Sequence, residues 1–316
     1  MHNIVPACQD KINLTGFFVS PQPVVSVRFY PPPEDLRRYF TSFYVTDMDP
    51  GGPETLTDCL HPEWAGLRFF SPRGPDAWIG GSAVIANAQF FASGPTSLPI
   101  HFNMPLTRMW GVGLLPLGWA HFIRKPAAEH ANLICDGRQH PTFAPFASLA
   151  DNLFKAVPDE AAELTRITAW FRSLNLRPVT DESRILAIHE ALVDPQLVTV
   201  AELVERVAAS QRTIERLCKR HFGYSPKLLL RRQRFMRSVA QFIIDPSLKW
   251  IGAMDCHYHD QAQFVRDFRE FMGMTPSEYA SLPHPVIDRF IQERVRVAGA
   301  AVQTLDSPNG AGVKAA

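Results

Sequence analysis

The sequence predicts an α+β chain of two unlike halves, a β-rich N-terminal barrel or sandwich and an all-α C-terminal half built on two similar helix pairs joined by one long helix. Three observations carry this expectation. From Phe17 to Ile134 short apolar runs are separated by clusters of Pro, Gly and polar residues, the punctuation of many short strands. Between Ser210 and Tyr279 one pattern occurs twice, fifty residues apart. Between the copies, Ser225 to Ile244 reads as one continuous helix, ended by Asp245-Pro246.

Composition bounds the class. The chain has 316 residues, 46% of them hydrophobic and 20% charged, which suits a soluble globular protein of two domains. Five single cysteines, Cys8, Cys59, Cys135, Cys218 and Cys256, form no C-x-x-C pair, which argues for a reducing compartment and against a disulfide framework or a cysteine-cluster zinc site. The first residues, Met1-His-Asn-Ile-Val-Pro6, lack the basic and apolar regions of a signal peptide, and no apolar run reaches the roughly 18 residues of a membrane span. A cytoplasmic protein without membrane contact is expected.

In chain order, residues 1–14 read as a loose arm, and 16–19, 24–30, 40–45, 67–70, 83–91, 99–104 and 109–115 as strands. The segment from Trp78 to Phe102 predicts a hairpin that closes the sheet. A short helix is expected at 118–126, a loop at 136–149 and a helix at 149–157. Residues 159–174 form a stronger helix, opened by Pro158-Asp159, with Leu164, Ile167, Trp170, Phe171 and Leu174 as one apolar stripe that packs against the strands or against a second copy of the chain. The expected divisions are thus a β-rich domain at 1–157, helix and linker at 158–180, an all-α domain at 181–282 and a tail at 283–316.

A ligand pocket in the first domain would be apolar with a few polar groups. Phe70, Trp78, Phe102 and Trp110 are candidate lining residues, and Arg68 and Arg108, set amid apolar neighbours, are candidates to meet an anionic group. The competing reading makes the aromatics core and turns the arginines outward. His61, His101, His121, His130 and His140 stand alone, without the His-x-His pair of a metal-binding barrel, so no metal, cofactor or catalytic residue is assigned.

In the all-α half a helix from Asp181/Glu182 to Val193 comes first. Thr199, with Glu202 three residues on, is a capping box for the next. The first copy runs from Ser210 to Pro226 and the second from Asp260 to Pro276. Each opens on a polar residue, carries apolar residues at helical spacing (Ile214, Cys218, Phe222; Phe264, Phe268, Met272), and stops at a Gly-x-Ser/Thr-Pro unit. A shorter helical run precedes each copy, which makes two helix-turn-helix units, whose second helices fit a DNA major groove. Period leaves Gln211, Arg212, Glu215, Arg216 and Lys219 outward on the first and Gln261, Ala262, Gln263 and Arg266 outward on the second. The net charge is only +1, but Arg206 to Arg237 holds ten basic residues against one acid, Glu215, the footprint of a phosphate-contacting surface. Cys256-His257-Tyr-His259 sits in the second turn, where a metal lacks room for a further ligand. A last helix is expected at 286–302, with 306–316 disordered.

These motifs, Gly223-Tyr-Ser-Pro226 and Gly273-Met-Thr-Pro-Ser-Glu-Tyr279 behind Tyr258-His-Asp-Gln-Ala-Gln-Phe-Val-Arg-Asp-Phe-Arg269, resemble the AraC-type transcription regulators over about residues 184–282. The resemblance implies two helix-turn-helix units on a rigid connector and, ahead of them, a cupin-like β-barrel that binds an effector or supports dimerisation. It implies double-stranded DNA, a small-molecule effector, RNA polymerase and a second copy as partners, and a regulator such as an activator rather than an enzyme. Carried over by position, Arg212, Glu215 and Arg216 face bases, with Thr213 beside them, and Lys227 faces phosphate. Arginine can fork onto guanine, glutamate can accept from cytosine, and glutamine suits adenine. Glu215 could equally orient Arg216. Family members carry Gly in the turn of each unit, where this chain has Ala208 and His257, and a small residue where it has Val204. Two other readings remain: a first half that is only a protein-interaction module, or an enzyme, cupin-type or alkyl-transferring, fused to the DNA domain. Cys135, beside Asp136, is a poor candidate for a reactive thiolate.

Overall fold

The computed structural model describes residues 23–52, 54–174, 178–299 and 301–308. The loose arm, the 16–19 run and part of the linker lie outside these residues. The first half is a sandwich of two antiparallel sheets built from β1 (Val24–Tyr30), β2 (Phe40–Asp49), β3 (Leu56–Leu60), β4 (Gly66–Ser71), β5 (Asp76–Ile79), β6 (Phe90–Ser93), β7 (Ile100–Met104), β8 (Thr107–Leu114) and β9 (Ile134–Asp136). The larger sheet runs β1-β2-β8-β4-β6-β9 and the smaller β3-β7-β5. Alternation along each strand splits the side chains between two cores. Tyr44, Met48, Phe70, Phe91 and Met109 face the small sheet, while Phe43, Val45, Phe69, Phe90 and Trp110 face helices on the other side. Opposite Tyr44 the chain has Gly111, where a Cβ would lie 1.9 Å from the ring carbon Cζ of Tyr44. The glycine admits that ring.

Two strand expectations are corrected. Residues 83–89 are not a strand and keep only an isolated bridge, Ala77 to Ile85. The segment 78–102 is not one hairpin: β5 pairs with β7 in the small sheet, while β6, between them in sequence, pairs with β4 in the large one.

Helices follow: α1 (Pro116–Gly118) continuing into a π-turn (Trp119–Ile123), α2 (Ala147–Leu153) and α3 (Glu160–Ser173). Asp159 caps α3 by accepting from Ala162 N. Its stripe is spent on the chain's own sandwich: Ile167 and Phe171 are buried, and Phe171 meets Phe40 and Phe122 edge-on.

The all-α half contains α4 (Glu182–Val193), α5 (Val200–Val207), α6 (Gln211–Leu217), α7 (Pro226–Ile244), α8 (Lys249–Ala253), α9 (Gln261–Met272) and α10 (Pro276–Ser281). The rod α7 is docked on the sandwich. Arg232 is fully buried, its guanidinium carbon 4.3 Å from the Trp64 ring centre, and it donates to the carbonyls of Thr96 (2.8 Å) and Glu63 (3.3 Å). Burial pulls its pKa down to about 10.

The tail is also corrected. Helix α11 (Ile287–Ala298) packs on β1, with Phe290 edge-on to Phe29 and Tyr44 at 5.9 and 5.2 Å. Asp58 of β3 caps it by accepting from Val286 N and Ile287 N at 2.9 Å each. Asp306, expected to be disordered, is buried and paired with Arg294. Residues 309–316 lie outside the described residues.

Candidate nucleic-acid interface and N-terminal cavity

The two copies share one set of caps. Ser210 accepts from Thr213 N at 3.3 Å and Asp260 from Gln263 N at 2.7 Å, so each second helix starts at the same point of the pattern. Gly223 and Gly273 end them at φ of +88° and +73°. Ser225 and Thr275 then cap α7 and α10, with Pro226 and Pro276 in the first turn.

The first turn is strained. Ala208 sits at φ +51° and ψ +47°, a left-handed conformation that a methyl group disfavours. Replacing it with glycine is expected to raise stability by roughly 0.5–1 kcal/mol, the strain relieved less the added chain entropy; urea denaturation measures it, and a lower midpoint would show that no strain was present. The second turn avoids the problem, since His257 is not among the positive-φ residues. Asp255 Oδ1 accepts from its N at 2.9 Å and lies 3.0 Å from its Nδ1. Asp255, Cys256 and His257 bring ligand atoms within 4.8 Å of one another, but that carboxylate already holds Arg237 at 2.5 Å.

On α6, Gln211, Arg212, Glu215 and Arg216 are exposed, as is Lys219 just beyond it, and Thr213 is half-buried. Gln211 donates to Glu215 at 3.0 Å, which occupies one oxygen of the carboxylate along the helix face. Arg216 lies 3.8 Å from Asp181, a loose pairing. On α9, Gln261, Ala262 and Arg266 are exposed, whereas the side-chain oxygen of Gln263 accepts from His259 N at 3.0 Å and helps shape the turn. A crevice of about 350 Å³ between the units is lined by Thr199, Lys227, Arg231, Arg234, His257 and Gln263.

The basic block is smaller at the surface than in sequence. Arg231 pairs with Asp267 and Glu270 (2.6 and 2.5 Å), Arg234 with Asp267 (3.0 Å), Arg237 with Asp255 and Arg206 with Asp194, while Arg232 is inside. Arg212, Lys219, Arg220 and Lys227 are exposed and have no ion pair among the described residues.

Of the expected pocket residues, Arg68, Phe70 and Phe102 line a cavity between the sheets. Trp78, Arg108 and Trp110 do not. Trp78 stacks on His101 at 5.6 Å. Arg108 pairs with Asp47 and the buried Glu163 at 2.7 Å each, and Trp110 donates to Glu163 at 2.6 Å, on the opposite face of the large sheet. Sequence reasoning missed Tyr44, Met109, Val286 and Phe290, the last two contributed by the C-terminal segment. The buried thiol of Cys135 is pushed up to about 12 by burial and by Asp136, which removes the driving force for thiolate chemistry there.

Residues 203–281 match the family described as "Helix-turn-helix domain". The C-terminal region is an AraC/XylS-type helix-turn-helix domain. Structures of ToxT from Vibrio cholerae resemble the chain at a TM-score of 0.40 and 11% identity, over 82% of this chain and 98% of that one. ToxT described as bound to unsaturated fatty acid gives 0.39 and 11%, over 81% and 94%. The AraC-like transcriptional activator CuxR gives 0.25 and 13%, over 69% and 87%. No curated protein matches this chain. Among the described residues no helix is long and apolar enough to cross a membrane. The match thus runs from within α5 to the end of α10.

Proposed function

We propose that this transcription regulator reads its operator through α6 and α9, and that the cavity in its sandwich admits a small-molecule effector. The observation that carries the reading is the shared capping of the two helices, which leaves Arg212, Arg216, Gln261 and Arg266 facing solvent from equivalent starting points. Arg212 and Arg216 are assigned to base edges and Lys227 to phosphate. Glu215, held by Gln211, positions the face instead. The reading extends to RNA polymerase and a second copy as partners, gene activation as output and the cytoplasm as compartment; a dimer would use a surface other than the buried stripe of α3.

Arg216→Ala is expected to cost about 1–3 kcal/mol of operator binding while leaving random DNA nearly unaffected, whereas Lys227→Ala weakens both alike. Titrations on both DNAs decide it, and equal losses on both for Arg216→Ala would remove the base-contact assignment. With Lys219, Arg220 and Lys227 exposed, without an ion pair among the described residues and left for phosphate, log K should fall against log salt with a slope of roughly −3. Were all ten basic residues engaged, the slope would be about −9.

A further inference from the structure

The cavity between the sheets has a charge balance that selects its occupant. Two lobes of about 30 and 80 Å³ share Tyr44, Leu60, Arg68 and Phe290 as lining residues. The first is otherwise walled by apolar side chains such as Met48, Phe70, Phe91 and Met109, with Ser93 among them. The second reaches Ser42, His61, Glu63, Arg294 and Gln303 under the C-terminal segment.

Neither cation on these walls offers a ligand an uncompensated charge, since each is paired with a carboxylate. Arg68 donates from Nη1 to Glu63 Oε1 (3.0 Å), from Nη2 to Glu63 Oε2 (2.5 Å) and from Nε to the Tyr44 hydroxyl (3.1 Å). The Glu63 carboxylate also accepts from Ser93 Oγ at 2.7 Å and Gln303 Nε2 at 2.6 Å, so both members of the pair are saturated. Arg294 is paired with Asp306 and donates to Ser42 Oγ at 3.3 Å; its Nε is the guanidinium nitrogen on these walls left without a partner among the described residues. His61 lies 2.8 Å from the Tyr279 hydroxyl, and burial keeps its ring neutral.

We propose that the effector is a neutral, mostly apolar molecule about one ring in size with at most one hydrogen-bond acceptor, and that Glu63 excludes carboxylates. This rests on reading the cavity as an effector site. An entering carboxylate brings an uncompensated charge into an apolar space; Arg294 Nε gives it a single hydrogen bond, and a counter-charge comes only by displacing Glu63 from Arg68, which leaves that glutamate buried and unpaired. A neutral ring disturbs neither pair, and the free Nε of Arg294 can donate to a nitro or carbonyl oxygen. Apolar cavities of about 150 Å³ accept benzene, more than the two lobes hold together, so a ring enters only as the walls between the lobes move apart.

Nitrobenzene and benzoate have nearly the same shape and differ in charge. Calorimetric titration of the full chain should show nitrobenzene binding at least tenfold tighter than benzoate. In Glu63→Gln, where the Arg68 charge is released, that preference should close or reverse by at least tenfold. A wild type that prefers benzoate, or an unchanged ratio in a folded Glu63→Gln, overturns the proposal; should the variant not fold, the wild-type ratio decides alone. Failure of the wild type to bind either compound while operator binding survives removes the effector reading, and this proposal with it, without touching the DNA assignment.

Discussion

Acidification from pH 7 to pH 4 is expected to destabilise the fold by several kcal/mol, because three buried histidines stay neutral inside it. Burial lowers His61 to about 4 and His189 to about 3; His221 falls to about 4 through burial and the neighbouring Arg220. Their ordinary value is 6.5, so between that pH and the lowered values the unfolded chain binds more protons than the folded one. Stability therefore rises with pH across this window and is lost as pH falls through it. At about 1.4 kcal/mol per unit, each contributes on the order of 3 kcal/mol by pH 4. His284 acts in the other sense. Burial works to lower its pKa, but hydrogen bonds and charge from Asp58 and the Tyr279 carbonyl outweigh that and raise it. Its contribution is complete below 6.5 and fades as pH rises through the raised value. Burial lowers His101, His121 and His140 as well, so one raised histidine against six lowered ones leaves the acid side as the steep one. Chemical denaturation at half-unit pH steps measures this, and a flat profile between pH 7 and 4.5 would contradict the neutral, buried histidines.

Phe290→Ala should cost about 3–5 kcal/mol, the usual loss for truncating a buried aromatic. Phe290 is 7% exposed, meets Phe29 and Tyr44 edge-on and lines both lobes of the cavity. The substitution opens ring-sized space next to a ligand site, so a neutral aromatic such as benzene should restore part of the lost melting temperature in the variant and shift the wild type less. Equal shifts in both would mean that the new space is not continuous with the cavity.

What the sequence made legible was local chemistry. Ser210 and Asp260, Gly223 and Gly273, Pro226 and Pro276 each act within a few residues of themselves, so the paired helices and the rod could be read directly. The strain at Ala208 was legible for the same reason. What could not be read depends on partners far along the chain. The basic run looked free because Asp255, Asp267 and Glu270, which neutralise Arg231, Arg234 and Arg237, come 18 to 39 residues later. Arg108 and Trp110 were placed in the pocket, yet β8 turns them toward Glu163 of α3, and no local pattern says which face of a two-sided buried strand meets a ligand. The choice of sheet for β6 is equally non-local, and the cavity wall supplied by Phe290 lies more than 200 residues from Arg68.

The stitching of the C-terminal segment bears on the order of events during synthesis. Gln303 bonds Glu63 of the sandwich, Gln233 of the rod donates to the Thr304 carbonyl, and Arg294 pairs with Asp306, so residues translated after the all-α half close a joint between parts made much earlier. A chain halted near residue 286 would carry α6 and α9 while leaving Phe29 and Tyr44 without the Phe290 ring that packs on them. Nonsense alleles there should therefore show up first as insoluble product rather than as altered operator choice.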